Sequence, residues 1–226
     1  MRALKNFILD LIFPRRCLGC KQVDTWLCES CFKLIEQYEG QHIDYRLKHL
    51  NRLIVASPYS KNKLLTTAIH TLKYQRHPED IAEKLGSMLA RSLKFGLNQI
   101  TTRPGQDYCL IPVPLHRRRC RERGFNQAEE LAKAVEESLR ACKAISLDSS
   151  LLNRDRYTTS QVKAGSRQAR LKNLEKAFST TDKINPETTC ILVDDVATTG
   201  TTLEECAKVL RKAGAQQVWG LVVARN

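Results

Sequence analysis

Apolar and polar positions along the chain predict strands and helices in alternation. Continuous apolar runs at 108–113, 190–193 and 218–223 predict buried strands, because nothing polar interrupts them. The segments between them place apolar residues on one helical face, in the sets Ala128, Leu131, Ala132, Val135, Leu139 and Leu203, Cys206, Ala207, Leu210. Strands and helices in alternation, with short connections, are typical of a parallel sheet covered by helices. The predicted fold class is therefore α/β.

The first half of the chain predicts fewer strands. An apolar run at 53–57 indicates one strand, and two helices follow from the apolar sets Leu65, Ala68, Ile69, Leu72 and Ile81, Leu85, Met88, Leu89. We also expect a helix at 4–12, a short helix at 32–38 and a loop at 101–106. After the strand at 108–113 and the helix that follows it, we expect a third element, which Leu151 and Leu152 close. Because the sequence is polar and weakly patterned up to residue 51, we expect a small module at 1–50 and a main domain at 51–226.

Four of the nine cysteines form a cluster with metal-ligand spacing. They are Cys17, Cys20, Cys28 and Cys31, in the pattern C-x2-C-x7-C-x2-C. Two C-x2-C pairs can each grip one side of a tetrahedral ion, and zinc is the metal that four thiolates favour. A disulfide framework is not expected, since the chain shows no export signal and five further cysteines stand alone. With all four positions filled by protein, the predicted Zn2+ is structural rather than catalytic.

Positive charge is concentrated in two stretches. The chain has 37 Lys+Arg against 24 Asp+Glu, a formal net charge of +13. Five arginines lie between residues 116 and 123, and six basic residues lie between 154 and 172. Such clustering favours binding of a polyanion, either phosphates or nucleic acid. The alternative is that these stretches form solvated basic faces.

No segment of the sequence predicts membrane insertion. A spanning helix needs about 20 apolar residues, and the best candidate, 7–13, is interrupted by Asp10. The same stretch offers no small-residue cleavage site of a signal peptide. We therefore expect a cytoplasmic protein, which agrees with the number of unpaired cysteines.

The most specific motif follows the strand at 190–193. Asp194 and Asp195 end this apolar strand, and a loop of small residues then opens a helix. Backbone N–H groups and hydroxyls of this loop can converge on one anion, contributed by Ala197, Thr198, Thr199, Gly200, Thr201 and Thr202. Carboxylates repel a phosphate, so the two acids suit the vicinal hydroxyls of a ribose, and the pair of sites suits a ribose 5-phosphate. An ordinary turn with capping hydroxyls would leave the paired acids unexplained.

The stretch from Val193 to Thr202 resembles the phosphoribosyl pyrophosphate (PRPP) motif of type I phosphoribosyltransferases. The order of the other motifs is similar to one subgroup, the ComF/GntX-like competence proteins. Those motifs are the cysteine cluster, Leu72-Lys-Tyr74, Ile111-Pro-Val-Pro-Leu-His116, Arg121-Glu-Arg-Gly-Phe-Asn-Gln127, and Gln161 with Arg167, Arg170 and Asn173. The resemblance implies a type I phosphoribosyltransferase-like sheet flanked by helices, with a small N-terminal zinc-binding module similar to a double zinc ribbon.

Residue roles follow from this resemblance by position. It implies that Asp194 and Asp195 hold the ribose hydroxyls of PRPP and that residues 197–202 hold its 5-phosphate. Leu115, His116 and Arg117 would form the pyrophosphate loop, although His116 can equally cap a helix. The segment 154–170 corresponds to the flexible loop that closes over PRPP in the family, but its basic residues do not align position by position, and the chain shows no recognisable base-binding hood.

Transfer of a phosphoribosyl group requires stabilisation of charge on the departing pyrophosphate. Arginines on a closing loop and Mg2+ held by the ligand's own oxygens supply it, and closure excludes water. The catalytic candidates are Arg156, Arg167 and Arg170, with Lys163 beside them; the alternative for each is solvated surface.

Two classes of function agree with these motifs. In the first, the protein binds PRPP and single-stranded DNA and acts with partners of the DNA-uptake machinery in natural transformation. In the second, it is an active phosphoribosyltransferase of nucleotide or amine metabolism without a nucleic-acid role. Aromatic residues make up only 6% of the chain, and no interleaved stacking platform is evident in the sequence. Trp26 is one candidate stacker, and it can equally form the core of the zinc module.

Overall fold

A computed structural model describes residues 14–38, 42–43, 47–59, 62–75, 78–98, 106–156, 177–180 and 182–225. The helices are α1 (Glu29–Phe32), α2 (Lys63–Tyr74), α3 (Glu79–Asn98), α4 (Arg117–Arg123), α5 (Gln127–Ser138) and α6 (Thr201–Lys212). The strands are β1 (His42–Ile43), β2 (Arg52–Pro58), β3 (Tyr108–Pro112), β4 (Ile145–Leu147), β5 (Asn153–Arg154), β6 (Phe178–Ser179), β7 (Thr189–Ala197) and β8 (Gln217–Arg225). The helix expected at 4–12, and the loop expected at 101–106 except for its last residue, lie outside the described residues.

Six strands form the main sheet in the order β1-β2-β8-β7-β3-β4. The five from β2 to β4 run parallel, and β1 is antiparallel to β2 at one edge. Strands β5 and β6 form a separate antiparallel pair. The four strands predicted from apolar runs are confirmed as β2, β3, β7 and β8, and the α/β fold class is confirmed with them.

Both faces of the sheet are buried, which explains why its strands read as uninterrupted apolar runs. In β7, Ile191 and Val193 belong to the core on one face, whereas Cys190 and Leu192 belong to the core on the other. Helices α2, α3 and α5 cover the first face, and α6 covers the second. Gly86 of α3 lies against Ala134 of α5 so closely that a side chain there would overlap the alanine, and this permits the two helices to approach.

The cysteine-rich segment is part of the same packing. Cys17, Leu27, Cys28, Cys31 and Ile35 are buried in one cluster with the apolar faces of α2 and α3. The cysteine-rich segment and helices α2 and α3 therefore share one core.

Some expected elements differ from those in the structure. The short helix predicted at 32–38 is instead α1, which begins at Glu29, because Cys28 takes the N-cap position of a turn that carries Cys31. The third element is the strand β4. Leu151 and Leu152 are buried but belong to neither strand nor helix, because Asp148 accepts hydrogen bonds from the N–H groups of Ser150 and Leu151 and turns the chain.

Among the described residues, none of the helices combines the length and apolar character that a bilayer crossing requires.

Candidate functional site

Two of the predicted binding segments meet at the carboxyl edge of the sheet. Strands β3 and β7 are neighbours with Pro112 opposite Val193, and the N–H of Val113 continues the ladder by donating to the carbonyl of Val193 at 2.9 Å. The segment 113–117 follows β3, and the segment 197–202 follows β7. Ligands of open α/β sheets bind at this edge. The fold therefore brings the predicted pyrophosphate loop beside the predicted phosphate loop.

The loop after β7 has the backbone shape that an anion site needs. Gly200 takes a left-handed conformation (φ 71°) at the N-cap of α6, where a side chain would be strained. Helix α6 then begins at Thr201, whose hydroxyl lies 2.7 Å from that of Thr199. Gly200 and Thr201 are buried, while Thr198 is exposed. The N–H groups that open α6 thus lie at the end of β7, where they can receive a phosphate.

Asp194 and Asp195 lie at the end of β7 in contrasting surroundings. Asp195 is buried (5% exposed) and its Oδ2 forms an ion pair with Nζ of Lys73. Asp194 Oδ1 accepts a hydrogen bond from the N–H of Asp195 at 2.9 Å. Burial and the charge of Asp195 together raise the pKa of Asp194 well above its usual range, although Lys73 and the N–H of Asp195 counteract them. The end of β7 thus holds two adjacent acids, one of which is paired with a lysine.

Lys73 is a site residue that sequence reasoning did not identify. It lies in the last turn of α2 and reaches across to β7. A buried carboxylate needs a partner charge, since an isolated one is costly. The only sequence feature that pointed to Lys73 was its place in the Leu72-Lys-Tyr74 motif, and no spacing rule connects that motif with Asp195.

The segment after β3 is held by side-chain caps. His116 is the N-cap of α4, and its Nδ1 accepts a hydrogen bond from the N–H of Arg118 at 3.2 Å. Asn126 caps α5 and donates from Nδ2 to the carbonyl of Val113 at 3.2 Å. Leu115 and Arg117 accompany His116 at this edge, and Arg117 is exposed. Capping, one of the two roles expected for His116, is therefore present.

Of the proposed closing loop, 154–170, the structure describes residues 154–156. Strands β5 and β6 pair with Arg154 opposite Phe178. Arg156 is exposed, whereas Lys163, Arg167 and Arg170 lie outside the described residues.

Arg154 is a second residue that was not singled out from the sequence. Its guanidinium carbon lies 5.2 Å from the centre of the Phe178 ring. Burial and the positive charge of Arg119 lower the pKa of Arg154, and attraction to Asp194 opposes this shift. The Arg154 guanidinium thus lies within electrostatic reach of Asp194.

The four clustered cysteines converge as their spacing predicted. The Sγ atoms of Cys17, Cys20, Cys28 and Cys31 all lie within 4.8 Å of one another. Gly19 is required in this arrangement, because a Cβ there would lie 2.6 Å from Sγ of Cys31. Four sulfur ligands at this separation fit one Zn2+ in a closed, structural site.

The thiols of the cluster differ in how readily they ionise. Burial opposes ionisation of Cys17, but hydrogen bonds from the N–H groups of Cys28, Cys20 and Gly19 lower its pKa to about 6. Burial and hydrogen bonds with the other thiols raise the pKa of Cys31 to about 12. A divalent ion would stabilise the thiolate form of all four residues.

Polar contacts fix the cysteine-rich segment to α3. Asp80, in the first turn of α3, accepts hydrogen bonds at its Oδ2 from the N–H of Trp26 (2.6 Å) and the hydroxyl of Thr25 (3.2 Å). One turn later, Lys84 forms an ion pair with Glu29 and lies over the Phe32 ring. Trp26 is partly buried and packs against the core, as one of the two roles expected for it requires.

Comparisons with known proteins find a domain family and several relatives that resemble this chain. A model of the phosphoribosyl transferase domain matches residues 120–226. Competence protein F of Haemophilus influenzae is 31% identical over 230 residues, which cover 94% of this chain and 98% of that protein. DNA utilization protein YhgH of Escherichia coli (strain K12) is 33% identical over 172 residues, 75% of this chain and 71% of that protein. The solved structure of glutamine phosphoribosylpyrophosphate (PRPP) amidotransferase from B. subtilis aligns with a TM-score of 0.39 and 18% identity, over 68% of this chain and 30% of that one.

Proposed function

The chain belongs to the family of competence protein F and YhgH, and we propose that it acts in the cytoplasm during DNA uptake as a protein that binds both PRPP and single-stranded DNA. The observation that carries the PRPP part is the meeting of the two loops and the paired acids at one edge of the sheet. The observation that carries the DNA part is the exposed arginine helix that begins at the same edge. Partners of the uptake machinery belong to this proposal.

In the PRPP part, each group of residues has one role. Asp194 and Asp195 accept hydrogen bonds from the ribose hydroxyls, and residues 197–202 bind the 5-phosphate through the N–H groups that open α6. Leu115, His116 and Arg117 bind the pyrophosphate. PRPP brings Mg2+, which its own oxygens hold. The arginine candidates Arg156, Arg167 and Arg170 would close over the pyrophosphate and stabilise its charge.

In the DNA part, helix α4 is the binding surface. It has no buried residue, and Arg117, Arg118 and Arg121 are exposed. Arg118 forms an ion pair with Glu122 at 3.0 Å, an exposed pair of the kind that contributes little and exchanges readily for a phosphate. A pyrophosphate takes only the first residues of this helix, so the later arginines are available for the backbone of a nucleic acid. Two relatives are named for competence and for DNA utilization, which favours DNA as that polyanion.

The cysteine-rich module acts as a structural support in this proposal. With Zn2+ bound, it holds α2 and α3 from outside through the shared core. Lys73 lies in the last turn of α2 and forms the ion pair with Asp195. By holding α2, the module therefore also positions the backbone of Lys73.

Calorimetric titration tests the two parts separately. The full chain is titrated with PRPP in the presence and absence of Mg2+, and then with a single-stranded oligonucleotide. We expect Mg2+-dependent binding of PRPP and salt-sensitive binding of the oligonucleotide. Absence of PRPP binding would overturn the first part, and absence of oligonucleotide binding at low salt would overturn the second.

The complete phosphate loop and acid pair also favour the second candidate, an active phosphoribosyltransferase of nucleotide or amine metabolism. An enzyme releases pyrophosphate from PRPP when a nitrogen nucleophile is supplied, whereas a protein that only binds PRPP does not. Release of pyrophosphate in the presence of a nucleobase or amine, together with no affinity for DNA, would establish this candidate in place of the first.

A further inference from the structure

One aromatic side chain beside the site is conspicuously exposed. Tyr74 ends helix α2 and is 61% exposed. Exposed large hydrophobic side chains are few among the described residues, the others being Val23 and Leu34. Tyr74 directly follows Lys73, the counter-ion of Asp195. An open aromatic ring therefore stands at the border of the candidate PRPP site.

Two planar side chains accompany this ring. The guanidinium carbon of Arg123 lies 5.0 Å from the centre of the Tyr74 ring, and its Nη2 donates to the tyrosine hydroxyl at 3.5 Å. The His70 ring, one helical turn before Tyr74, lies 4.7 Å away with an interplanar angle of 43°. Tyrosine, arginine and histidine are the planar groups on which unpaired bases stack.

Arg123 is held in place by more than the tyrosine. Its Nη1 donates to Oε1 of the buried Gln127 at 2.9 Å. Arg123 is also the last residue of α4, the helix whose exposed arginines face solvent. The ring at the end of α2 is thus fixed against the end of the arginine helix, with aromatic surface next to positive charge.

We propose that Tyr74, with Arg123 and His70, is a stacking site for one unpaired nucleobase of a single-stranded nucleic acid. The inference rests on the DNA part of the proposed function and adds to it a contact with a base. The arginines of α4 bind the sugar-phosphate backbone, and Tyr74 receives a base from that strand. The structure supplies the aromatic surface that the sequence, with its few scattered aromatic residues, did not indicate.

The location of Tyr74 beside the arginine helix favours a nucleobase over an apolar partner as its ligand. An apolar partner would cover the Arg123 guanidinium and remove its hydration at a cost, whereas a nucleic acid offers phosphates and an aromatic ring together. Since stacking uses the π-face that every base has, the site would tolerate any sequence.

The test measures how much of the affinity depends on bases. Fluorescence anisotropy of the full-length protein is recorded with a labelled oligothymidylate and with a sugar-phosphate chain of the same length that lacks bases. The variants are Tyr74→Ala, Tyr74→Phe and, as a matched loss of an exposed apolar side chain, Leu34→Ala. Circular dichroism establishes that each variant is folded.

We expect Tyr74→Ala to lower the affinity for oligothymidylate by about 5- to 150-fold, the range for one base–aromatic contact. Its affinity for the abasic chain and its salt dependence should match those of the parent. Tyr74→Phe keeps the ring and should bind nearly as tightly as the parent, and Leu34→Ala should bind equally well.

Two other results would overturn the stacking site in distinguishable ways. If the parent binds oligothymidylate and Tyr74→Ala binds it equally, the stacking site is wrong and the DNA part of the proposed function stands. If the parent binds neither chain at low salt, both are wrong.

Discussion

The ion pair between Lys73 and Asp195 joins the last turn of α2 to the carboxyl end of β7. Asp195 is almost fully buried, and the side chain of Lys73 is 25% exposed. The pair therefore holds one acid of the candidate ribose site in place, and it does so from a helix that also packs on the cysteine-rich module.

Replacing Lys73 by Met should weaken PRPP binding without unfolding the protein. Asp195 loses the ion-pair partner that holds it in place, and a hydrogen bond to a charged group contributes about 1.5–3 kcal/mol, which corresponds to a change of about 10- to 150-fold in Kd. Lys73→Arg keeps the charge and should recover part of the affinity. Calorimetry of Lys73→Met, Asp195→Asn and the double variant measures the coupling, and strictly additive effects would contradict a role through Asp195.

Asp194→Asn should stabilise the fold and abolish PRPP binding. Because burial and Asp195 raise the pKa of Asp194, the folded state binds this proton more tightly than the unfolded chain does. Stability is therefore lost as pH rises from the unfolded pKa towards the folded pKa. The amide removes this loss, and each kcal/mol recovered should raise Tm by about 2–4 °C. Thermal denaturation at mildly acidic and neutral pH measures the difference.

Replacement of the neighbouring acid, Asp195, should have the opposite effect on stability. Asp195→Asn should destabilise the protein, by about 1–3 kcal/mol, because it leaves Lys73 without its counter-ion in a largely buried place. The double variant Asp194→Asn/Asp195→Asn should remain folded and fail to bind PRPP with Mg2+. Equal PRPP affinity in that double variant would remove both acids from the ribose site.

Cys28→Ser should release the metal and loosen more than the N-terminal module. Elemental analysis should find one zinc per chain in the parent and less in the variant, because the ion holds such small modules together. Limited proteolysis should then cut within residues 14–38. Since Leu27 and Ile35 are buried with α2 and α3, we also expect a lower Tm for the whole chain. Cys142→Ser, an exposed cysteine outside the cluster, is the matched control and should change neither result.

Changing Arg118, Arg119 and Arg121 to Ala should reduce the salt dependence of single-strand binding. The logarithm of affinity falls with the logarithm of salt with a slope of about −0.7 for each phosphate neutralised, so three lost contacts flatten it by about two units. PRPP binding should persist because His116 and Arg117 are unchanged.

A control triple variant separates local contacts from net charge. Lys133, Arg140 and Lys143 are exposed and lie outside α4, and their change to Ala removes the same charge. We expect the parent slope in this control. If both triple variants reduced the salt dependence of binding equally, α4 would not be the DNA-binding surface.

The fold was largely predictable because its strands are buried on both faces. Short apolar runs such as 190–193 are typical of strands in a covered sheet, and helices α2, α3, α5 and α6 each expose one polar face. The strands β1, β5 and β6 were not predicted, and β4 was expected only as an element of unspecified type, since two or three residues carry no period. The apolar pattern did not predict helix α4, because seven residues without a buried side chain give no amphipathic pattern; the capping role expected for His116 was the one sign of a helix there.

The candidate site was predictable where its residues are consecutive in sequence. The four cysteines and the segment 194–202 form local motifs, and local spacing determines their geometry. Lys73 and Arg154 reach the acids from other elements, so their roles depend on tertiary contacts that no spacing expresses. The same holds for Tyr74 and Arg123, which meet only because α2 ends beside α4.

Strand β8 lies between β2 and β7, although all other strands precede it in sequence. On the ribosome, β2 and α2 therefore emerge long before the strand that connects them to β7, and their apolar residues remain without that partner in the meantime. Late parallel pairing of this kind is slow and exposes the nascent chain to aggregation. A chain interrupted before Gln217 would still contain every residue of the candidate site, yet it would lack the strand that joins Lys73's half of the sheet to Asp195's half.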